Sequence, residues 1–305
     1  MSRTFDFFSN INDFKEIVPG VEASTTLTEM QASFERAAQI IKDMISEALW
    51  TSLKTAYLQP TTDEKKKTAI PFLQGAIGNR TYYHHLIFKV VGKKKEQIGF
   101  YKSEIHAMEE TYLDNFAAYM DKLLQYLDDN TADFTGWSDT ETYKLRQKLL
   151  IKSASAFSKY CQLGNSVYFF MLTIPLQLEV IDTDIASRKI TAATYAGKEP
   201  LERNIMRFVA YKTASMAISQ LESPDLPRSI RNDVYNESSR SSGSNYQEKL
   251  VKEKIADLFN NKAERYLELI NIEMTQPDQD AGESTDIYFP GEDLFTENDN
   301  YYFPG

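Results

Sequence analysis

Ile98, Tyr101, Ile105, Met108, Tyr112, Phe116, Tyr119, Leu123 and Tyr126 alternate three and four residues apart, with charged residues between them. That spacing lines one face of an α-helix and excludes a strand, whose apolar positions would repeat every two residues. The pattern predicts one helix from about Lys95 to Asp128, roughly 50 Å long at about 1.5 Å per residue. A rod of that length needs neighbours along its whole seam. Two readings meet the need: the seam is core within the chain's own bundle, or Tyr112, Phe116, Tyr119 and Leu123 pack against other subunits.

The rest of the chain reads as helical too. It has only 12 Gly and 10 Pro in 305 residues, many Ala, Leu, Lys, Glu and Gln, and 42% hydrophobic residues, enough for real cores. Thr28-Glu29-Met30-Gln31 reads as a capping box opening a helix with Phe34, Ala37, Ala38, Ile41, Ile45, Ala48 and Leu49 on one face, ended by Gln59-Pro60. From Asp63 a second segment runs to about Val91, kinked or interrupted by Pro71, loosened by Gly75 and Gly78, and ended by Gly92. Residues 1–27, with Phe5, Phe7, Phe8 and Phe14, read as an arm draped over a surface.

A joint spans Trp137 to Ser166. Ser138-Asp139-Thr140-Glu141 predicts a helix start, and Tyr143, Leu150, Ala154, Phe157 and Cys161 share a face up to Gly164-Asn165. Val167 to Leu172 is a buried connector into a helix from Pro175 to about Ile190. A further helix carries Ile205, Phe208, Val209, Met216 and Ile218. Ser223 to Pro227 and Ser238 to Ser244 have loop composition, and a last helix runs from Tyr246 to Thr275.

The two halves align. Shifted by 136 residues, Ile45 falls on Ile181, Phe72 on Phe208 and Tyr82 on Ile218; shifted by 154, Tyr112 falls on Tyr266. The sequence therefore predicts a mainly α fold of two tandem similar helical units, 28–136 and 166–276. A joining helix over 137–165 connects them, with the arm before and a tail, 277–305, after.

Chemistry is sparse. His84 and His85 point about 100° apart on a helix and cannot chelate one ion together, so no metal site is expected. Gly75-Ala76-Ile77-Gly78-Asn79-Arg80 lacks the Gly-Lys-Ser/Thr ending of a phosphate loop, and packing around small residues explains it better. Cys161 lies on an apolar stripe and reads as core. No catalytic or cofactor-binding residue is assigned. Lys65 to Lys67 and Lys93 to Lys95 fit solvated faces, or a surface near a phosphate backbone. The N-terminus lacks the apolar core of a signal peptide and no apolar run is long enough to span a bilayer, which predicts a cytoplasmic origin and no membrane partner.

The tail carries most of the net charge of −10: eight acids follow from Asp278, and no Lys or Arg occurs after Arg265. Within it Tyr288-Phe289-Pro290-Gly291 returns as Tyr302-Phe303-Pro304-Gly305, with Phe295 between and Tyr301 beside the second copy. Tyr288, Phe289, Pro290, Phe295, Tyr301, Tyr302, Phe303 and Pro304 are the predicted partner-binding residues, aromatic anchors for pockets on another chain. The plainer reading is an acidic solubilising tail folded back on its own body.

In its order of elements the chain resembles the helical head-to-tail connector proteins of tailed bacteriophages. It is more specifically similar to a connector-like group in phages and prophages of Bacteroidetes, crAss-like phages included. The resemblance rests on the helix from Phe34 to Leu49, the segment from Lys65 to Tyr83, the seam from Ile98 to Tyr126, and the joint with Trp137, Ser138, Tyr143, Arg146, Phe157, Gly164, Asn165, Ser166 and Phe169. It implies a virion protein made in the host bacterial cytoplasm and no catalysis. Its copies would form a homo-oligomeric ring against portal or tail proteins, around a channel for non-specifically held DNA. The simplest connectors have one such unit, whereas two are read here. The alternatives are a cytoplasmic helical adaptor binding a partner protein as a monomer, and an enzyme whose site has no sequence signature.

Overall fold

The computed structural model describes residues 5–59, 62–95, 102–240 and 245–275; these residues are mainly α, with no strand among them. Helix α1 (Ile11–Ile17) starts where the Asn10 side chain accepts from the backbone N–H groups of Asn12 and Asp13. Helices α2 (Gln31–Ile45) and α3 (Glu47–Leu58) replace the single helix expected between Thr28 and Gln59. A 3-10 turn, Thr28–Met30, leads into α2, and Thr26 rather than Thr28 bonds there: its hydroxyl donates to Glu29 at 3.1 Å and accepts from the Glu29 N–H at 3.4 Å, while α2 itself has no side-chain cap. The break falls at Ser46, held at φ +82°, whose hydroxyl accepts from the Leu49 N–H and so caps α3.

The arm is not draped over a surface. Phe5, Phe7, Phe8, Phe14 and Val18 are all buried. Phe7 meets Trp50 edge-on at 5.1 Å, Phe8 meets Phe14 at 5.0 Å, and Phe5 meets Phe34 at 4.3 Å. Polar bonds tie down the backbone: Gln74 donates to the Phe7 carbonyl at 2.7 Å and the Tyr112 hydroxyl to the Pro19 carbonyl at 2.8 Å. Aromatic residues with no regular spacing thus fill the core from a segment whose one helix, α1, carries only Phe14 of the four.

Helix α4 (Glu64–Lys95) passes unbroken through Pro71 and Gly92. Pro71 withdraws a hydrogen bond from the Lys67 carbonyl, but both residues are exposed, so the carbonyl is not shut away from solvent and the break is tolerated. Helix α5 (Lys102–Asp129) runs back along α4: Phe72 meets Tyr126 at 6.0 Å and Tyr82 meets Tyr112 at 4.9 Å. Glycines allow the close approach. A Cβ on Gly75 would lie 2.3 Å from the Tyr119 ring, and one on Gly78 2.5 Å from Val18. Gly75→Ala should therefore lower stability by about 1–3 kcal/mol through overpacking. In chemical denaturation Tyr119→Ala should recover part of that loss when combined with it; additive losses would refute the contact.

The joint is three short helices instead of one: α6 (Thr135–Ser138), α7 (Glu141–Arg146) and α8 (Ala154–Tyr160). Thr140 and Ser153 cap α7 and α8 by accepting from Tyr143 and Ala156 N–H groups, so their hydroxyls favour new starts over continuation. Helix α9 (Val167–Val180) begins at its cap Ser166 and continues through Pro175, making the expected connector helical. After a π turn at Ile181–Ile185 and α10 (Ala192–Tyr195) come α11 (Glu199–Gln220), α12 (Arg228–Arg240) and α13 (Asn245–Thr275).

Helices α11 and α13 form a second antiparallel pair, with Tyr211 stacked on Tyr266 at 5.7 Å and Asn204 bonded to Glu273 at 2.8 Å. The registers of the two pairs differ. Tyr112 faces Tyr82, whereas Tyr266 faces Tyr211, which precedes Ile218, the residue aligned with Tyr82, by seven positions (218 − 211) or about two helical turns. Phe72 is half-buried and Phe208 fully buried. Equating Tyr112 with Tyr266 therefore does not describe how the helices meet. One continuous apolar cluster joins both pairs through α9, whose Phe169, Phe170 and Ile174 are buried.

Candidate functional site

The middle of α4 is enclosed: from Gly75 to Leu86 every residue but Tyr83 is buried. Helices buried all round are ordinarily apolar, yet this one carries Asn79, Arg80, Thr81, His84 and His85. The Arg80 guanidinium, 1% exposed, donates to Asp225 at 3.1 Å and lies 5.0 Å from the Phe116 ring and 5.5 Å from that of Tyr83. Its Nε and Nη1 find no hydrogen-bond partner. Asp225, in the 3-10 turn Ser223–Asp225, also accepts from the Tyr168 hydroxyl at 2.9 Å.

A second arginine reaches the opposite way. Arg231 of α12 donates to Glu110 at 2.9 Å, to Asp114 at 2.6 Å and to the Leu226 carbonyl at 2.7 Å. Arg228 adds an ion pair to Asp114 at 2.9 Å. Glu110 and Asp114 sit one turn apart on α5, so both carboxylates face one guanidinium. Beside them His106 stacks flat on Tyr235 at 3.4 Å. Asp121, nearer the joint, accepts from the Tyr168 N–H at 2.7 Å and the Ser166 hydroxyl at 3.0 Å; burial raises its carboxyl against the lowering effect of those bonds.

Burial, then the nearby positive charges of Arg80 and Arg36, lowers His84 to about 3, so its ring is neutral at physiological pH. Burial, then Glu109, raises Tyr83 to about 12. Burial also pushes the Cys161 thiol up, leaving it protonated and unreactive as a nucleophile at neutral pH. These groups are suited to holding elements together: paired charges cross-link α4, α5, α9 and the segment before α13.

Of the residues expected to pack subunits, Tyr112, Phe116 and Leu123 are buried in this chain's own core, and Tyr119 is half-buried over Gly75. Phe116 meets Tyr168 edge-on at 5.0 Å. Tyr288, Phe289, Pro290, Phe295, Tyr301, Tyr302, Phe303 and Pro304 lie outside the described residues. So do the side chains of Lys93, Lys94 and Lys95. Lys66 and Lys67 pair with Asp63 and Glu64, and Lys65 donates to Asn130. Among the described residues no group of three or more His, Cys, Asp or Glu could hold a metal ion, and no helix is long and apolar enough to cross a membrane.

Sequence reading missed Arg231, its acids and α12 itself, because Ser, Asn and Pro suggested a loop. A weak signal was present: Leu226, Ile230 and Val234 recur every four residues, and all three are buried.

Fold and site define, over the described residues, a mainly α protein of two long antiparallel pairs cross-linked by buried arginines. Over residues 41–147 the chain is similar to a family of unknown function (DUF6712). That stretch includes Arg80, Glu110 and Asp114, but not Asp225 or Arg231. No curated protein and no solved structure matches the chain.

Proposed function

We propose that this is a structural virion protein, a component of a phage head-to-tail connector ring that joins portal and tail and surrounds the DNA channel. It is made in the bacterial cytoplasm and has no catalytic role. The reading is supported chiefly by the two long antiparallel pairs, whose 32-residue α4 and 31-residue α13 make rods of roughly 45 Å. Rods of that length suit side-by-side packing of copies around an axis. The tail, through its repeated Tyr-Phe-Pro-Gly, supplies anchors for a neighbouring ring.

One observation favours a different reading, a helical adaptor that binds a partner protein as a monomer. Tyr112, Phe116 and Leu123 are spent on the chain's own core, and among the described seam residues only Ile105, Met108, Tyr119 and Tyr126 are partly exposed. Native mass measurement separates the two. A ring gives one large, uniform multiple of 35.0 kDa with ring-shaped particles in negative stain, and a single species at 35.0 kDa refutes it.

A further inference from the structure

Residues 221–240 leave the end of α11 and cross to the other helix pair before the chain returns along α13. We propose that they form a releasable strap, which opens as one unit when its arginine keys are lost while both helix pairs stay folded. The inference stands apart from the ring proposal.

Polar bonds tie the strap to α4, α5 and α9, while its first residues are also held by α13, through Ser223 to Glu248 and Lys252 to the Leu221 carbonyl, and by Arg36 of α2 through Glu222. Asp225 takes Arg80 at 3.1 Å and Tyr168 at 2.9 Å; Arg231 takes Glu110 at 2.9 Å and Asp114 at 2.6 Å; Arg228 takes Asp114 at 2.9 Å. A buried ion pair loses about as much in desolvation as it gains by attraction, so opening the strap returns hydration to Arg231, Glu110 and Asp114. Deleting one partner while the strap stays closed is different, since it strands a buried charge. The cheapest response to such a loss is for the strap to lift.

The keys are also crossed. Helix α4 gives a guanidinium to a strap carboxylate, and the strap gives a guanidinium to carboxylates on α5. The two keys lie on one short segment, Asp225 to Arg231, so lifting that segment breaks both. Leu226, Ile230 and Val234, buried beneath, make closed the resting state. The body, meanwhile, has a joint of its own that does not pass through the strap. Asp121 of α5 caps the start of α9 through Ser166 and Tyr168, and Phe170 and Ile174 of α9 are buried in the shared core. Once lifted, the strap uncovers Glu110 and Asp114 as a ready-made socket for a guanidinium.

Amide hydrogen exchange read by mass spectrometry on the full chain tests this. In Arg231→Gln, amides of 228–240 should exchange at least about tenfold faster, with those of α4, α5, α11 and α13 within about twofold of the parent. Glu110→Gln combined with Asp114→Asn should give the same pattern from the other side. Acceleration spread evenly over all helices would make α12 an ordinary part of one cooperative core and overturn the strap; unchanged α12 amides would overturn the keys. The parent chain gives a reading that needs no variant. In low urea the amides of 228–240 should open together, before α11 and α13, and opening only with the global transition would also refute the proposal.

Discussion

Deleting the first 20 residues should leave a chain without a cooperative unfolding transition. Phe5, Phe7, Phe8, Phe14 and Val18 each bury a whole side chain, worth about 1.5–3 kcal/mol apiece. Together they rival the 5–15 kcal/mol, roughly, that separates a folded domain from its unfolded state. Their removal also strips cover from Trp50 and Phe34 and takes away the carbonyl that receives the Tyr112 hydroxyl. Phe14→Ala alone should cost about 3–5 kcal/mol, because the site is fully enclosed and cannot collapse around the cavity. Circular dichroism during thermal melting distinguishes the cases. A truncated chain that keeps the parent's melting temperature would mean the arm is dispensable cover.

The second large effect is acid sensitivity centred on His84. Its ordinary value is 6.5 and its folded value about 3, so in this window the unfolded chain binds a proton that the folded chain excludes. Stability from this group is complete above pH 6.5 and falls by about 1.4 kcal/mol per pH unit as pH drops toward 3, where the loss stops growing. Its surroundings act in one direction: burial opposes protonation most, and the positive charges of Arg80 and Arg36 oppose it too. His84→Gln, which keeps a polar side chain but cannot take up the proton, should flatten the urea midpoint between pH 6.5 and 4 relative to the parent. An equally steep profile in that variant would place the acid sensitivity in other groups.

The helical architecture could be read in the sequence because α4, α5, α11 and α13 are long enough for their three-and-four spacing to outweigh Pro71, Gly75 and Gly92. Shorter elements could not. At the joint, Ser and Thr hydroxyls at 140 and 153 divide one apolar stripe into separate helices, and stripe periodicity carries no trace of where a hydroxyl will cap. The arm's fate was hidden for a related reason: Phe5, Phe7, Phe8 and Phe14 have no period, so nothing local distinguishes a core plug from a surface drape. The site was the least legible part. Arg80 and Asp225 are 145 residues apart and Arg231 and Glu110 are 121 apart, and single charged residues in a polar context do not announce distant partners. Gly75 and Gly78 were the exception, since small residues inside a helical pattern imply a close neighbour, which the Tyr119 ring and Val18 turn out to be.

The arm's place in the core sets a timetable for the nascent chain. It leaves the ribosome well before its seat is finished, since Tyr112, whose hydroxyl donates to the Pro19 carbonyl, follows Pro19 by 93 residues. At roughly 5–20 residues per second that is a wait of about 5–20 s before the seat of the four phenylalanines is complete. The interval is long enough for a chaperone to find them, and it makes the opening residues, not the long helices, the point at which synthesis and aggregation compete.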